Sequence, residues 1–151
     1  MLLVRRITTP RNLYPARRSV VSIRVGLDLV KVDLIEEALQ AAHGDRYLTL
    51  VYTDREILEC RTSTGVDPER LAARFAAKEA TLKVLPATDE GIPFRSIEVR
   101  REPSGRVHLE LSGRAAELAS EAGVIELALS LTHESGYAAA VVVADCRRLR
   151  R

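Results

Sequence analysis

The 151-residue chain reads as one α+β domain in which a mostly antiparallel sheet packs with one long helix. Three observations predict this. Asp67-Pro68 opens a run rich in Ala, Leu, Arg and Lys that continues unbroken to Leu85. Such residues are strong helix formers, and the run is long enough for about five turns. Apolar, β-branched segments with alternating faces stand at both ends of the chain, over 22–30, 125–132 and 137–144, the pattern of half-buried strands. The composition, 46% apolar and 29% charged, is that of a folded chain and excludes a disordered, collagenous or repetitive one.

Each element has its own warrant. In Ser22–Val30, Ile23, Val25, Leu27 and Leu29 share one face of a strand, and Gly26, Asp28 and Val30 share the other. Lys31–Ala42 carries Leu34, Ile35, Ala38, Leu39 and Ala42 at helical spacing. Gly44 suits a left-handed C-terminal turn after it. Arg46–Val51 is expected to form a short helix. Thr53 and Glu56 fit a capping box that starts another, running to about Arg61. Thr62–Val66 reads as a loop. Asp67 caps the long helix, proline takes its first position, and Pro86 stops it. Ile97–Arg101 and Val107–Leu111 are strands joined by the turn sequence Glu102-Pro103-Ser104-Gly105-Arg106. Ser112 is placed to cap a short helix to about Glu121. Ile125–Thr132 and Tyr137–Ala144 are two more strands around His133-Glu134-Ser135-Gly136.

The net charge of +2 hides an asymmetry. Residues 1–24 hold six arginines and no acid, and residues 147–151 hold four more arginines. The remaining 13 basic residues face 21 acids, so residues 25–146 carry −8. The organisation expected is a flexible Arg-rich extension over 1–21, a domain over 22–145 and a basic tail over 146–151. The leader lacks the apolar centre of a secretory signal. No apolar run reaches the roughly 18 residues of a transmembrane helix. Cys60 and Cys146 match no metal or redox spacing, which fits two reduced thiols in a cytoplasmic protein.

Three places break local rules. Asp28 puts a carboxylate in an apolar strand, where burial without compensation costs several kcal/mol. Gly26 leaves space beside it. A metal ion or a phosphate-bound cation compensates such a charge, and so does a bond to a neighbouring loop. In Arg74-Phe75-Ala76-Ala77-Lys78-Glu79-Ala80-Thr81-Leu82-Lys83, the residues Phe75, Glu79 and Lys83 share one helical face. An acid and a lysine there suit a metal and a phosphate; they equally suit a surface i,i+4 ion pair. His133 follows Ser130-Leu131-Thr132 at a strand end, where a histidine serves either proton transfer or structure. His43 and His108 sit in less informative places, and no zinc pattern links the three.

Taken together, Gly26-Leu27-Asp28-Leu29-Val30, Tyr52-Thr53-Asp54-Arg55-Glu56-Ile57, Phe75-Ala76-Ala77-Lys78-Glu79-Ala80, and Ser130-Leu131-Thr132-His133 followed by Tyr137-Ala138-Ala139-Ala140 resemble the 4′-phosphopantetheinyl transferases. The match is to their small holo-[acyl-carrier-protein] synthase type and runs from about Ile23 to Val143. The resemblance implies that family's fold. It also implies transfer of the 4′-phosphopantetheine arm of coenzyme A to a serine of an acyl carrier protein, in fatty-acid or polyketide synthesis. It implies Mg²⁺ held by Asp28 and Glu79, Lys83 on the phosphates, and His133 at the coenzyme site, either as the base or orienting a water or the nucleotide, with Glu134 a second candidate base. Arg74 and Ser130 are implied contributors to coenzyme binding, and Lys78, in the same motif, is either another or a solvated helix residue. A homotrimer with active sites between subunits is implied as well.

Two departures stand out. Relatives often carry a basic residue six positions after the metal aspartate, for gripping the acidic carrier; here it is Leu34, with Lys31, Arg46 and the terminal arginines as substitutes. Their glycine-rich segment after the long helix is replaced by Pro86-Ala87-Thr88-Asp89-Glu90. The competing class is a non-catalytic module of the same fold that binds coenzyme A, or nucleic acid through its Arg-rich ends.

Overall fold

The computed structural model describes residues 20–148, with side chains from Val21 to Arg147. The leader arginines before Val20 and the last three residues lie outside the described residues. Strand β1 (Val20–Lys31) leads through Val32 into helices α1 (Val32–Gln40), α2 (Gly44–Val51) and α3 (Asp54–Glu59). A minimal hairpin, β2 (Arg61–Thr62) and β3 (Gly65–Val66), precedes the long helix α4 (Pro68–Val84). A 3₁₀ turn at Phe94–Ser96 introduces the hairpin β4 (Ile97–Arg101) and β5 (Val107–Leu111). Helix α5 (Gly113–Glu121) and the long hairpin β6 (Val124–Glu134) and β7 (Tyr137–Arg148) complete the fold. No helix among these residues is long and apolar enough to cross a membrane.

The main sheet is antiparallel throughout, in the order β1-β7-β6. It is α+β, as expected, and α4 lies across the inner face of β1 and β7. That face is built for close approach. Ala72, Ala73, Ala76, Ala77 and Ala80 of α4 share one core with Ala138, Ala140, Val142 and Ala144 of β7. Gly26 belongs to this contact. A Cβ there would stand 1.9 Å from the Ala80 carbonyl oxygen, so the space expected beside Asp28 is filled by helix backbone. Among the described residues the outer face of β1 is uncovered: Ile23, Val25, Leu27 and Leu29 are each about 60% exposed.

Capping follows local chemistry. Thr53 and Glu56 form the full capping box. Asp67 accepts from the Glu69 and Arg70 N–H groups at the start of α4, a cap of about 1 kcal/mol. Several expectations are corrected. Gly44 opens α2 instead of ending α1 in a left-handed turn; it is glycine because a Cβ would meet the Leu39 carbonyl oxygen at 2.0 Å. Ser112 precedes α5 but makes no side-chain cap bond. Helix α3 stops at Glu59, where the chain turns into β2. The β6–β7 turn narrows to Ser135 and Gly136, at φ 52° and 79°, the two-residue hairpin geometry that matches strand twist.

The charged ends also enter the fold. Arg24 is a strand residue whose Nη1 donates to the Val84 carbonyl at 3.1 Å, placing a cation at the negative end of α4. β7 continues through Cys146 to Arg148, with Arg147 opposite Val21. Cys60 and Cys146 are free and buried, and burial pushes the Cys60 thiol up to about 11.

Candidate active site

The fourth and fifth turns of α4 pass over the inner face of β1 because Gly26 allows it. This brings Glu79 and Lys83, one helical turn apart, to the strand residue Asp28. The Lys83 ammonium stands 3.0 Å from Asp28 Oδ1 and donates to the Leu27 carbonyl at 2.6 Å. Asp28 is 18% exposed and Lys83 50%, so the pair sits at an open edge. Partial burial raises the Glu79 carboxyl above its usual range, and the neighbouring Asp28 charge raises it further, while Lys83 pulls the other way. Two carboxylates thus press on one spot, and a cation is already drawn to it. Among the described residues no group of three His, Cys, Asp or Glu gathers. The donor set is therefore two carboxylates, which suits a hard cation that keeps several of its waters.

Lys78 is corrected as a coenzyme contact. Its side chain is wholly buried, 2.8 Å from Glu56 Oε2, and it donates to the Phe94 carbonyl at 3.0 Å and to the Ile97 carbonyl. Glu56 in turn accepts from the Thr53 and Val99 N–H groups, both at 2.9 Å. Desolvation lowers the Lys78 pKa, and the Glu56 charge opposes this. No surface is left to meet a ligand, so this pair is an internal tie between α3, α4 and β4. Arg74 is nearly buried and paired with Glu59 at 2.9 Å. Phe75 stacks on Phe94 with centroids 5.4 Å apart, which makes it a packing residue.

Strand alternation sorts the remaining candidates. His133 lies opposite Ala138 and shares the inner face with Leu131, Ala140 and Asp28. Its Nδ1 is 3.4 Å from Glu69 Oε2 at the start of α4. Ser130, opposite Val141, and Glu134, opposite Tyr137, take the outer face. Glu134 and His133 therefore leave β6 on opposite faces. Ser130 borders a shallow cleft of about 390 Å³ between β5 and β6, with Arg106 and His108. His133 and Asp28 are two strands and one residue pair apart, about 12 Å between backbones from strand spacing and rise. The structure thus joins Asp28, Glu79 and Lys83, and sets His133, Ser130 and Glu134 apart. The contacts of Glu56 with Lys78 and of Glu69 with His133 are additions, since no local spacing links either pair.

Comparisons with known proteins identify the family of this fold. The family model of the 4′-phosphopantetheinyl transferase superfamily matches residues 24–142. A holo-[acyl-carrier-protein] synthase of Halothermothrix orenii is 38% identical over 121 residues, covering 80% of this chain and 95% of the relative. One of Chloroflexus aurantiacus is 42% identical over 131 residues, covering 79% and 95%. Among solved structures, a "Chronobacterium ammoniagenes ACPS-CoA complex" superposes with a TM-score of 0.71 at 34% identity, covering 86% of this chain and 99% of the other. The Helicobacter pylori holo-[acyl-carrier-protein] synthase in complex with coenzyme A gives 0.67 at 26% identity, covering 80% and 99%.

Proposed function

The chain belongs to the 4′-phosphopantetheinyl transferase superfamily and is an enzyme of its holo-[acyl-carrier-protein] synthase type, and from that premise we propose the following chemistry. The enzyme moves the 4′-phosphopantetheine group of coenzyme A to a serine hydroxyl of an acyl carrier protein and releases adenosine 3′,5′-bisphosphate. The reaction is Mg²⁺-dependent, takes place in the cytoplasm and serves fatty-acid or polyketide synthesis. The observation that carries this reading is the convergence of Asp28, Glu79 and Lys83 at the motif positions.

Asp28 and Glu79 would hold the Mg²⁺. When bound, the ion supplies charge neutralisation on the pyrophosphate oxygens. An ammonium has three donors; Asp28 and Leu27 take two of those on Lys83, and the third is free for a phosphate oxygen. Lys83 so placed stabilises charge on the departing phosphate. His133 is the proposed base for the serine hydroxyl, with its imidazole half exposed.

The separation of His133 and Ser130 from the Asp28 cluster supports a site completed by a second subunit. So does the apolar stripe Ile23, Val25, Leu27 and Leu29, exposed among the described residues, since contiguous exposed apolar side chains mark interaction surfaces. The proposed assembly is a homotrimer with an active site at each interface. Leu34 is exposed on α1, with Lys31 at its N-terminus and Arg46 on the adjoining α2; these two cations are the proposed grip on the acidic carrier. Mass spectrometry of an apo-carrier incubated with the enzyme, coenzyme A and Mg²⁺ tests the reading. The expected result is a gain of about 340 Da, one phosphopantetheine group, abolished by Asp28→Ala or Glu79→Ala. Loading at normal rate by either variant would sink the site assignment.

A further inference from the structure

Glu69 occupies the first turn of α4, where acidic side chains commonly serve the helix end. That task is already filled: Asp67 Oδ1 accepts from the N–H groups of Glu69 and Arg70 at 3.0 and 3.2 Å. The Glu69 carboxylate instead reaches across to β6, placing Oε2 3.4 Å from His133 Nδ1. Among the described residues it is the one charged side chain within ion-pair distance of His133. Glu134 and Tyr137 stand on the opposite face of the sheet. Both Glu69 and His133 are about half exposed, so the imidazole remains open to a substrate on its other side.

We propose that Glu69 is a positioning residue for His133. Its carboxylate accepts the Nδ1–H, which holds the neutral ring in the Nδ1–H tautomer and leaves the Nε2 lone pair as the acceptor for the serine proton. The inference rests on the reading of His133 as base. In that step the serine Oγ–P bond forms, the Oγ proton passes to Nε2, and the electron pair of the broken P–O bond leaves with adenosine 3′,5′-bisphosphate. The imidazolium so formed is next to the Glu69 carboxylate, which stabilises it. Catalytic contacts of this kind are commonly longer in the free enzyme than in the loaded one. The competing description is an exposed ion pair that contributes about 0–1 kcal/mol to stability and selects no tautomer.

The two descriptions differ in the imidazole ¹⁵N shifts of His133 in the full chain, read where the ring is neutral. Wild type is expected to show the Nδ1–H form. Glu69→Ala is expected to switch the ring to the Nε2–H form that neutral imidazole prefers in water. Glu69→Gln, which keeps an acceptor oxygen, should restore Nδ1–H. In parallel, Glu69→Ala should lower kcat about tenfold, the lower end for loss of a histidine-orienting partner, with KM for coenzyme A unchanged and kcat largely recovered in Glu69→Gln. One tautomer common to wild type and Glu69→Ala overturns the proposal. A switched tautomer combined with full activity of His133→Ala overturns the base reading and leaves the positioning contact standing, so the two failures are distinguishable.

Discussion

Lys78 and Lys83 leave α4 little more than one turn apart, and each meets a carboxylate at about 3 Å, yet they belong to different physical regimes. The Glu56–Lys78 pair has no exposed side-chain surface and is tied by backbone groups on every side. The Asp28–Lys83 pair stands half open at the sheet edge beside a third, like-charged group, Glu79. A buried charge in a satisfied network is held in one place. An exposed one beside competing carboxylates is free to exchange partners, which is what binding a cation and a phosphate requires.

Breaking the buried pair should give the largest effect on stability. Lys78→Ala leaves the Glu56 carboxylate buried with only its two N–H partners and removes the ammonium donor from the Phe94 and Ile97 carbonyls. The expected loss is about 3–5 kcal/mol in urea unfolding. The double replacement Glu56→Gln with Lys78→Met should recover part of it, because no unpaired charge remains. A loss below about 1 kcal/mol in the single variant would place Lys78 in the same regime as Lys83.

Next comes the contact that brings the open region together. Gly26→Ala forces its Cβ against the Ala80 carbonyl, and overpacking of this kind costs about 1–3 kcal/mol. It should also move Glu79 and Lys83 away from Asp28, so Mg²⁺-dependent activity should fall at temperatures where the variant is still folded. Lys83→Ala is expected to change stability by less than about 1 kcal/mol, as for exposed ion pairs, while cutting transfer about 100-fold or more. That contrast with Lys78 is read by pairing unfolding curves with single-turnover rates.

The smallest effect is the most specific. The Glu79 pKa is raised in the folded chain, so the folded state favours the protonated acid. The stability this contributes is present at acid pH, below the unfolded carboxyl pKa, and is lost as pH rises through the folded value. Ionised Glu79 is thus mildly destabilising at neutral pH in the absence of metal. Glu79→Gln should raise Tm slightly at pH 7 without Mg²⁺ and leave it unchanged near pH 3. Mg²⁺ should raise the Tm of wild type and not that of the variant. Equal Mg²⁺ stabilisation of both would remove Glu79 from the metal site.

Local chemistry was legible residue by residue. Thr53 with Glu56, and Asp67 with Pro68, mark helix starts through bonds that span only three positions. The alternation in β1 correctly separates Ile23, Val25, Leu27 and Leu29 from Gly26, Asp28 and Val30. The capping box expected at Glu56 is present, and the second oxygen of Glu56 serves Val99, far along the chain. The sequence places Gly44 in a turn, and the structure uses it for close approach to Leu39. Both are glycine signals in a sequence, and only the neighbouring backbone separates them.

The link from Glu79 and Lys83 to Asp28 in β1 was implied only by the family resemblance, whereas most of the elements, the faces within each, and the shared side of Glu79 and Lys83 on α4 were legible in the sequence alone. These follow from helical and strand periods, which are properties of a few consecutive residues. Only the tertiary structure decided that Lys78 is a buried tie and Lys83 an open one, that Gly26 admits Ala80, that Glu69 meets His133, and that His133 and Glu134 face opposite sides of the sheet in one subunit. The physical reason is that a period states which residues share a face. What that face meets, and hence its solvation and charge, is set by elements far away in the chain.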